Sequence, residues 1–193
     1  GTPVEFDNNS VSYISIVYDT NAQKVVIVYR DSGNSNYGTA IVGTVSGTSI
    51  SYGTPVVYNS GATDEQQATY VAYKDNGNSN YGTAVVGTVS GTSISFGTPV
   101  VFHAGGMGTQ LHDIEAKYDP STQTVLIAFR DNSESNYGKT VVGTVSGTSI
   151  SFTSAVTFNE DTTLGIRLTY DSNQQKMVMI YDKQGNTPDT ISR

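Results

Sequence analysis

The decapeptide VGTVSGTSIS stands unchanged at residues 42–51, 86–95 and 142–151. An identical segment met three times in one chain constrains the fold first, because each copy must take the same local structure beside equivalent neighbours. Each copy follows a version of R/K-D-x-x-x-S-N-Y-G and precedes, after Tyr or Phe, a version of G-T-P-V-V-Y/F. Asp31, Asp75 and Asp131 mark equivalent points at intervals of 44 and 56 residues. Repeats of this length are supersecondary units that bury their apolar faces on one another.

Within a repeat the apolar residues fall in short β-type runs, such as YISIVYD at 13–19, KVVIVYRD at 24–31 and TAIVGTV at 39–45. The first two runs are joined by TNAQ, and Asp19 just before it and Asn21 within it supply side-chain bonds that close the turn. Along Lys24–Arg30, Val25, Ile27 and Tyr29 point one way and Val26 and Val28 the other, so both faces are apolar and sheets are expected on both sides. Ser46-Gly47 reads as a tight hairpin turn. TSISYGTPVVY at 48–58 returns as a fourth strand interrupted at Gly53-Thr54-Pro55, and because proline cannot donate to a ladder, this strand is expected at the outer edge. No convincing helix-period segment occurs.

The pattern predicts an all-β fold, a β-propeller of four-stranded antiparallel blades. It has either about four blades closed on themselves or a sector of a larger ring completed by further sequence or a second copy. Residues 1–193 form one repeat domain, with units near 1–52, 53–96, 97–152 and 153–193. The second unit is short: only NSGATDEQQATYVA separates GTPVVY from YKD, so a strand or its turn is expected to be reduced or missing. The third carries a unique insertion, HAGGMGTQLHD at 103–113, and the fourth lacks a full decapeptide. Thr2–Phe6 reads as an outer strand able to pair into the last unit, and the opening GTPVEF suggests a piece of something longer.

Ten Lys+Arg against 17 Asp+Glu give a formal charge of −7, which argues against nucleic acid and anionic membrane surfaces as partners. The absence of cysteine excludes disulfides and thiolate metal sites. No apolar run approaches the roughly 20 residues of a spanning helix.

The hairpin YISIVYDTNAQKVVIVYRD, with HDIEAKYDPSTQTVLIAFRD and GIRLTYDSNQQKMVMIYDK, resembles sialidase-like propeller repeats, although the aspartate-box signature of true sialidases is absent. The whole unit, including VGTVSGTSISFGTPVVF, is more similar to repeats in tail-fibre-like proteins of marine bacterial viruses and in surface proteins of aquatic bacteria. That resemblance implies an extracellular or virion-surface location, and cell-surface glycans or other virion or surface proteins as partners. Strand exchange between identical repeats would also permit a homo-oligomer.

The repeated R/K-D-x-x-x-S-N-Y-G loop is the candidate ligand-binding site. It brings together Arg30, Asp31, Asn36 and Tyr37; Lys74, Asp75, Asn80 and Tyr81; and Arg130, Asp131, Asn136 and Tyr137. An aromatic ring with amides and carboxylates is what a sugar requires, and repetition would add avidity. The structural alternative has Asp capping the turn, Tyr packing between units and Arg pairing with the neighbouring unit's Asp. No cofactor is expected, although DSGNSN, DNGNSN and DNSESN offer alternating oxygens that would suit calcium. His103, His112 and Asp113 could in principle meet zinc, but their spacing matches no zinc motif. No nucleophile elbow or phosphate-cradling loop occurs, and nothing places Asp64, Glu65, Asp113 or Glu115 at a glycosidase's carboxylate separation. The expectation is a non-catalytic recognition module, with a structural assembly protein as the alternative and a fragment of a carbohydrate-active enzyme as a weaker one.

Overall fold

The computed structural model describes residues 1–67, 71–108 and 113–184, without the side chains of 65–67. The described residues form seventeen strands and no helix.

The first repeat is a meander in which β1 (Val11–Asp19) pairs with β2 (Lys24–Asp31) and β2 with β3 (Tyr37–Ser46), all antiparallel. The β1–β2 turn is closed by Asp19, whose Oδ1 accepts the backbone N–H groups of Asn21 at 2.9 Å and Ala22 at 3.0 Å. Asp119 and Asp171 close the equivalent turns in the same way. The fourth strand comes in two pieces, β4 (Ser49–Tyr52) and the start of β5 (Val56–Gln67), paired to opposite halves of β3. Between them the Gly53 N–H donates to the Val42 carbonyl at 2.9 Å, so Pro55 interrupts the edge without detaching it.

Strand β5 then changes partner. Past the register shifts near Asn59 it leaves β3, and Thr63, Asp64 and Gln67 pair with β6 (Val71–Asp75). One strand is therefore the outer strand of the first group and the first strand of the second. Of the strand or turn expected to be reduced or missing, both strands are present among the described residues, and residues 68–70 between them lie outside those residues. β6 pairs with β7 (Tyr81–Val85) and β7 with β10 (Val100–His103), while β8 (Gly87–Ser90) pairs with β9 (Ser93–Phe96). The first two groups thus share one strongly curled, half-barrel sheet of eight strands.

The third group repeats the plan: β11 (Ile114–Asp119), β12 (Thr124–Asp131) and β13 (Tyr137–Ser146) form a meander, with β14 (Ser149–Phe152) and β15 (Val156–Asn159) on the two halves of β13. β16 (Thr162–Asp171) and β17 (Lys176–Gln184) form a closing hairpin.

Apolar cores lie between consecutive groups, but among the described residues only the Val26–Val28 face of β2 meets another sheet; the second sheet expected on its other face is not there, and Ile27 and Tyr29 are covered by Phe6 of the opening segment with Val11 and Tyr52. Val26, Val28 and Val42 meet Val71, Tyr73 and Val85; Ala72, Ala84 and Phe102 meet Ile114, Ile127 and Phe129; Ala128 meets Ile166 and Leu168. The glycine of each G-T-P reinforces this stacking by lying against the decapeptide turn of the next group. A Cβ on Gly53 would fall 1.9 Å from the Thr92 carbonyl oxygen, and one on Gly97 2.0 Å from that of Thr148.

The opening segment does not behave as predicted. Residues 1–10 form no strand and do not pair into the last hairpin. They lie on the first group, where Phe6 packs edge-on to Tyr29 at 5.2 Å and the Tyr29 hydroxyl donates to Asp7 at 2.8 Å. Burial, and then Asp7, push the Tyr29 phenol far above its ordinary pKa. No closed ring forms among the described residues: Ile14, Ile16 and Tyr18 on β1 and Val178 and Ile180 on β17 remain exposed.

Candidate functional site

The three R/K-D-x-x-x-S-N-Y-G segments are the β2–β3, β6–β7 and β12–β13 connections, and each begins with a buried aspartate. Asp31 Oδ1 accepts the backbone N–H groups of Gly33 at 2.9 Å and Asn34 at 3.1 Å. Asp75 Oδ1 accepts Gly77 N–H at 3.0 Å and the Asn59 amide at 3.1 Å, and Asp131 Oδ1 accepts Ser133 N–H at 2.9 Å. The aspartates cap their own turns.

Each loop then passes through two consecutive left-handed residues: Ser35 and Asn36 (φ 55° and 62°), Ser79 and Asn80 (54° and 60°), Ser135 and Asn136 (51° and 64°). Asparagine tolerates this conformation because its short polar side chain can bond locally. The left-handed pair lets the asparagine carbonyl meet the next group. Asn36 accepts the Thr63 N–H at 3.1 Å, Asn80 that of Met107 at 3.1 Å, and Asn136 that of Thr163 at 3.0 Å. The glycine after Tyr has its own role: a Cβ on Gly82 would fall 2.5 Å from the Phe102 ring across the sheet. The S-N-Y-G element is therefore a clamp between successive repeats, and the clamp fixes where its loop is displayed.

The basic residues are also engaged. Arg130 lies 2.8 Å from Asp113, with both side chains buried. Lys74 lies 3.6 Å from Asp64, its neighbour across the β5–β6 pairing. In the first group the residue facing Arg30 is Ser12, so Arg30 reaches across to Asp64 at 2.5 Å and lies 5.0 Å over the Tyr13 ring. The pairing expected between neighbouring units holds only for Arg30 with Asp64; Lys74–Asp64 and Arg130–Asp113 lie within one unit, and Asp64 and Asp113 stand at unequal distances from the loops they serve. Thr63, Met107 and Thr163 escaped for a simpler reason: the clamp takes only their backbone N–H, and Met107 shares no side-chain chemistry with threonine.

The insertion in the third unit supplies that clamped Met107, and it brings His103 Nε2 to 3.1 Å from Asp131 while the imidazole packs on Phe129 at 4.9 Å. Lys139 Nζ lies 3.0 Å from the other Asp131 oxygen. Burial pushes the Asp131 carboxyl up, but the bonds from Ser133 and Lys139 and the charge of His103 outweigh it and hold the pKa below the usual carboxylate range. A depressed folded pKa contributes stability that is complete above the unfolded value of about 4 and lost as pH falls through the folded value. Urea midpoints measured across this window are expected to fall more steeply for the parent than for Asp131→Asn, which starts less stable at neutral pH.

Among the described residues no group of three or more histidine or acidic side chains could hold a metal ion. His112 and the side chain of Glu65 lie outside the described residues. Asp64 and Asp113 are occupied in ion pairs, and Glu115 is raised by burial, with Arg167 and Lys117 opposing. The loops are left presenting exposed Ser32, Asn34 and Ser35, their counterparts Asn78 and Ser79, and Ser133, Glu134 and Ser135, beside half-buried Tyr37, Tyr81 and Tyr137.

No family model, curated protein or solved structure matches the chain.

Proposed function

We propose that the chain is a β-propeller, or a sector of one, that works as a non-catalytic recognition module and binds a glycan through its repeated loops. The observation that supports this reading is the division of labour within R/K-D-x-x-x-S-N-Y-G. Aspartates, cations and asparagine carbonyls hold three equivalent loops, while amides, hydroxyls and tyrosine rings remain at the surface. Three similar weak contacts suit a ligand that itself repeats, as a polysaccharide does. The same reading puts the chain outside the cell or on a virion surface.

A glycan array probed with the purified chain tests it. Asn34→Ala combined with Asn78→Ala is expected to weaken binding about tenfold or more, since both amides are lost from the avid set while neither caps a turn. Thermal midpoints should be unchanged. Binding to no glycan, unaltered binding by the double variant, or release of reducing ends from a bound polysaccharide would each count against it. Exposed Ile14, Ile16 and Tyr18 favour a second reading, in which this apolar face of β1 mediates assembly. A stable oligomer without glycan binding would select it.

A further inference from the structure

The exposed face of β1 is built like faces that the chain covers elsewhere. Counted back from the turn aspartates Asp19, Asp119 and Asp171, Ile14 and Ile16 hold the places of Ile114 and Ala116 in β11 and of Ile166 and Leu168 in β16. The register agrees, since Ile16, Ala116 and Leu168 stand opposite Ile27, Ile127 and Met179. Ile114, Ala116, Ile166 and Leu168 are all buried, because the preceding group lies on them through Ala72 and Ala84 in one case and Ala128 and Leu126 in the other. Ile14 and Ile16 are instead 54 % and 65 % exposed.

Two further features mark this side of the first group as one that receives another group. A Cβ on Gly1 would fall 1.8 Å from the Thr48 carbonyl oxygen, as one on Gly53 would fall 1.9 Å from that of Thr92, and Phe6 meets Tyr29 at 5.2 Å as Tyr58 meets Tyr73 at 5.2 Å. The opening segment therefore lies where the outer strand of a preceding group lies. The Ser32 N–H also donates to the Ser10 carbonyl, which makes Val11 and Asp31 a non-hydrogen-bonded pair and turns the Val11 N–H away from β2. Its counterparts, the N–H groups of Thr63, Met107 and Thr163, meet asparagine carbonyls of the preceding group.

The other end of the chain offers the matching face. On β17, Val178 and Ile180 hold the places of Val26 and Val28, with which the first group covers the second, and they are 41 % and 50 % exposed. We propose that these two faces meet between copies: the β17 face of one chain docks on the β1 face of a second, head to tail, in the arrangement that the groups already use within a chain. This names the partner for the assembly role of the β1 face and rests on that reading. The contact is heterologous, so successive copies close a ring or extend as a filament.

Light scattering on the whole chain tests this over roughly 1–100 µM. The parent is expected to associate as concentration rises. Ile16→Glu and Val178→Glu should each weaken association about tenfold or more, since a carboxylate would be buried without a partner. Both sites are exposed in the single chain, so urea midpoints should stay at the parent's value. An equimolar mixture of the two variants is the deciding sample: each keeps the face the other has lost, so a 1:1 complex should form that neither forms alone. Asn34→Ala with Asn78→Ala should leave the masses unchanged, which separates this contact from the loops. A parent that stays monomeric throughout would overturn both this proposal and the assembly reading. Association lost in Ile16→Glu but kept in Val178→Glu, or a mixture without the 1:1 complex, would leave β1 an assembly face and overturn the head-to-tail partner.

Discussion

Arg130→Ala is expected to destabilise the fold by about 3–5 kcal/mol, the cost of removing one partner from a buried ion pair. Arg130 and Asp113 lie 2.8 Å apart with side chains 5 % and 0 % exposed, so the carboxylate would lose its guanidinium without gaining water. Arg30→Ala offers the contrast. Its side chain is 27 % exposed, and Asp64 keeps Lys74 and Asn76 close by, so about 1 kcal/mol or less is expected. Urea midpoints of the two variants provide the comparison. If both lose the same small amount, the Arg130–Asp113 pair is not buried as described; replacing both partners by apolar residues of similar size should recover much of the loss.

Gly97→Ala has the second large expected effect, about 3 kcal/mol, because the added methyl would fall 2.0 Å from the backbone oxygen of Thr148, and backbone cannot rotate away as a side chain can. The clash lies between the second and third groups. The variant should therefore separate them locally, with faster amide exchange in the β13–β14 turn than in β1–β2. Gly47→Ala is the control: it sits at φ 58° with open space around it, so only the left-handed strain of about 1 kcal/mol applies. Equal losses from both substitutions would mean that G-T-P does not hold the groups together.

Much of the local structure was legible because its causes are local. Asp19 capping TNAQ, Gly47 turning the decapeptide, and Pro55 forcing a break in an outer strand each act within a few residues of sequence. The apolar two-faced pattern of Lys24–Arg30 likewise announced cores on both sides of β2. What sequence could not show depends on contacts made elsewhere in the chain. The second unit reads as having a strand or its turn reduced or missing because nothing in SGATDEQQ marks the point where β5 abandons β3 for β6. Thr2–Phe6 was read as a strand from its likeness to GTPVVY, but Phe6 packs on Tyr29 and Tyr52, and Asp7 takes the tyrosine hydroxyl, so the segment is held by side chains and not by a ladder.

The loop residues illustrate the same limit. Arg, Asp, Asn and Tyr were grouped because they share a loop, and the structure gives them different duties: Asp31, Asp75 and Asp131 cap, Arg130 pairs, and Asn36, Asn80 and Asn136 offer a backbone carbonyl to the next repeat. A carbonyl leaves no trace in side-chain chemistry. The one trace of that role in the sequence is Ser-Asn repeated before Tyr-Gly, where the structure places two consecutive left-handed residues three times.

Amide hydrogen exchange at Thr63, Met107 and Thr163 tests the central claim most directly, that each S-N-Y-G loop clamps the repeat that follows it. These three N–H groups donate to Asn36, Asn80 and Asn136 at 3.0–3.1 Å, and all are expected to exchange with the protection of strand amides. Exchange at the rate of the exposed loop amides of Asn34 and Asn78 would contradict the account, for the repeats would then be held together by something other than the motif they share.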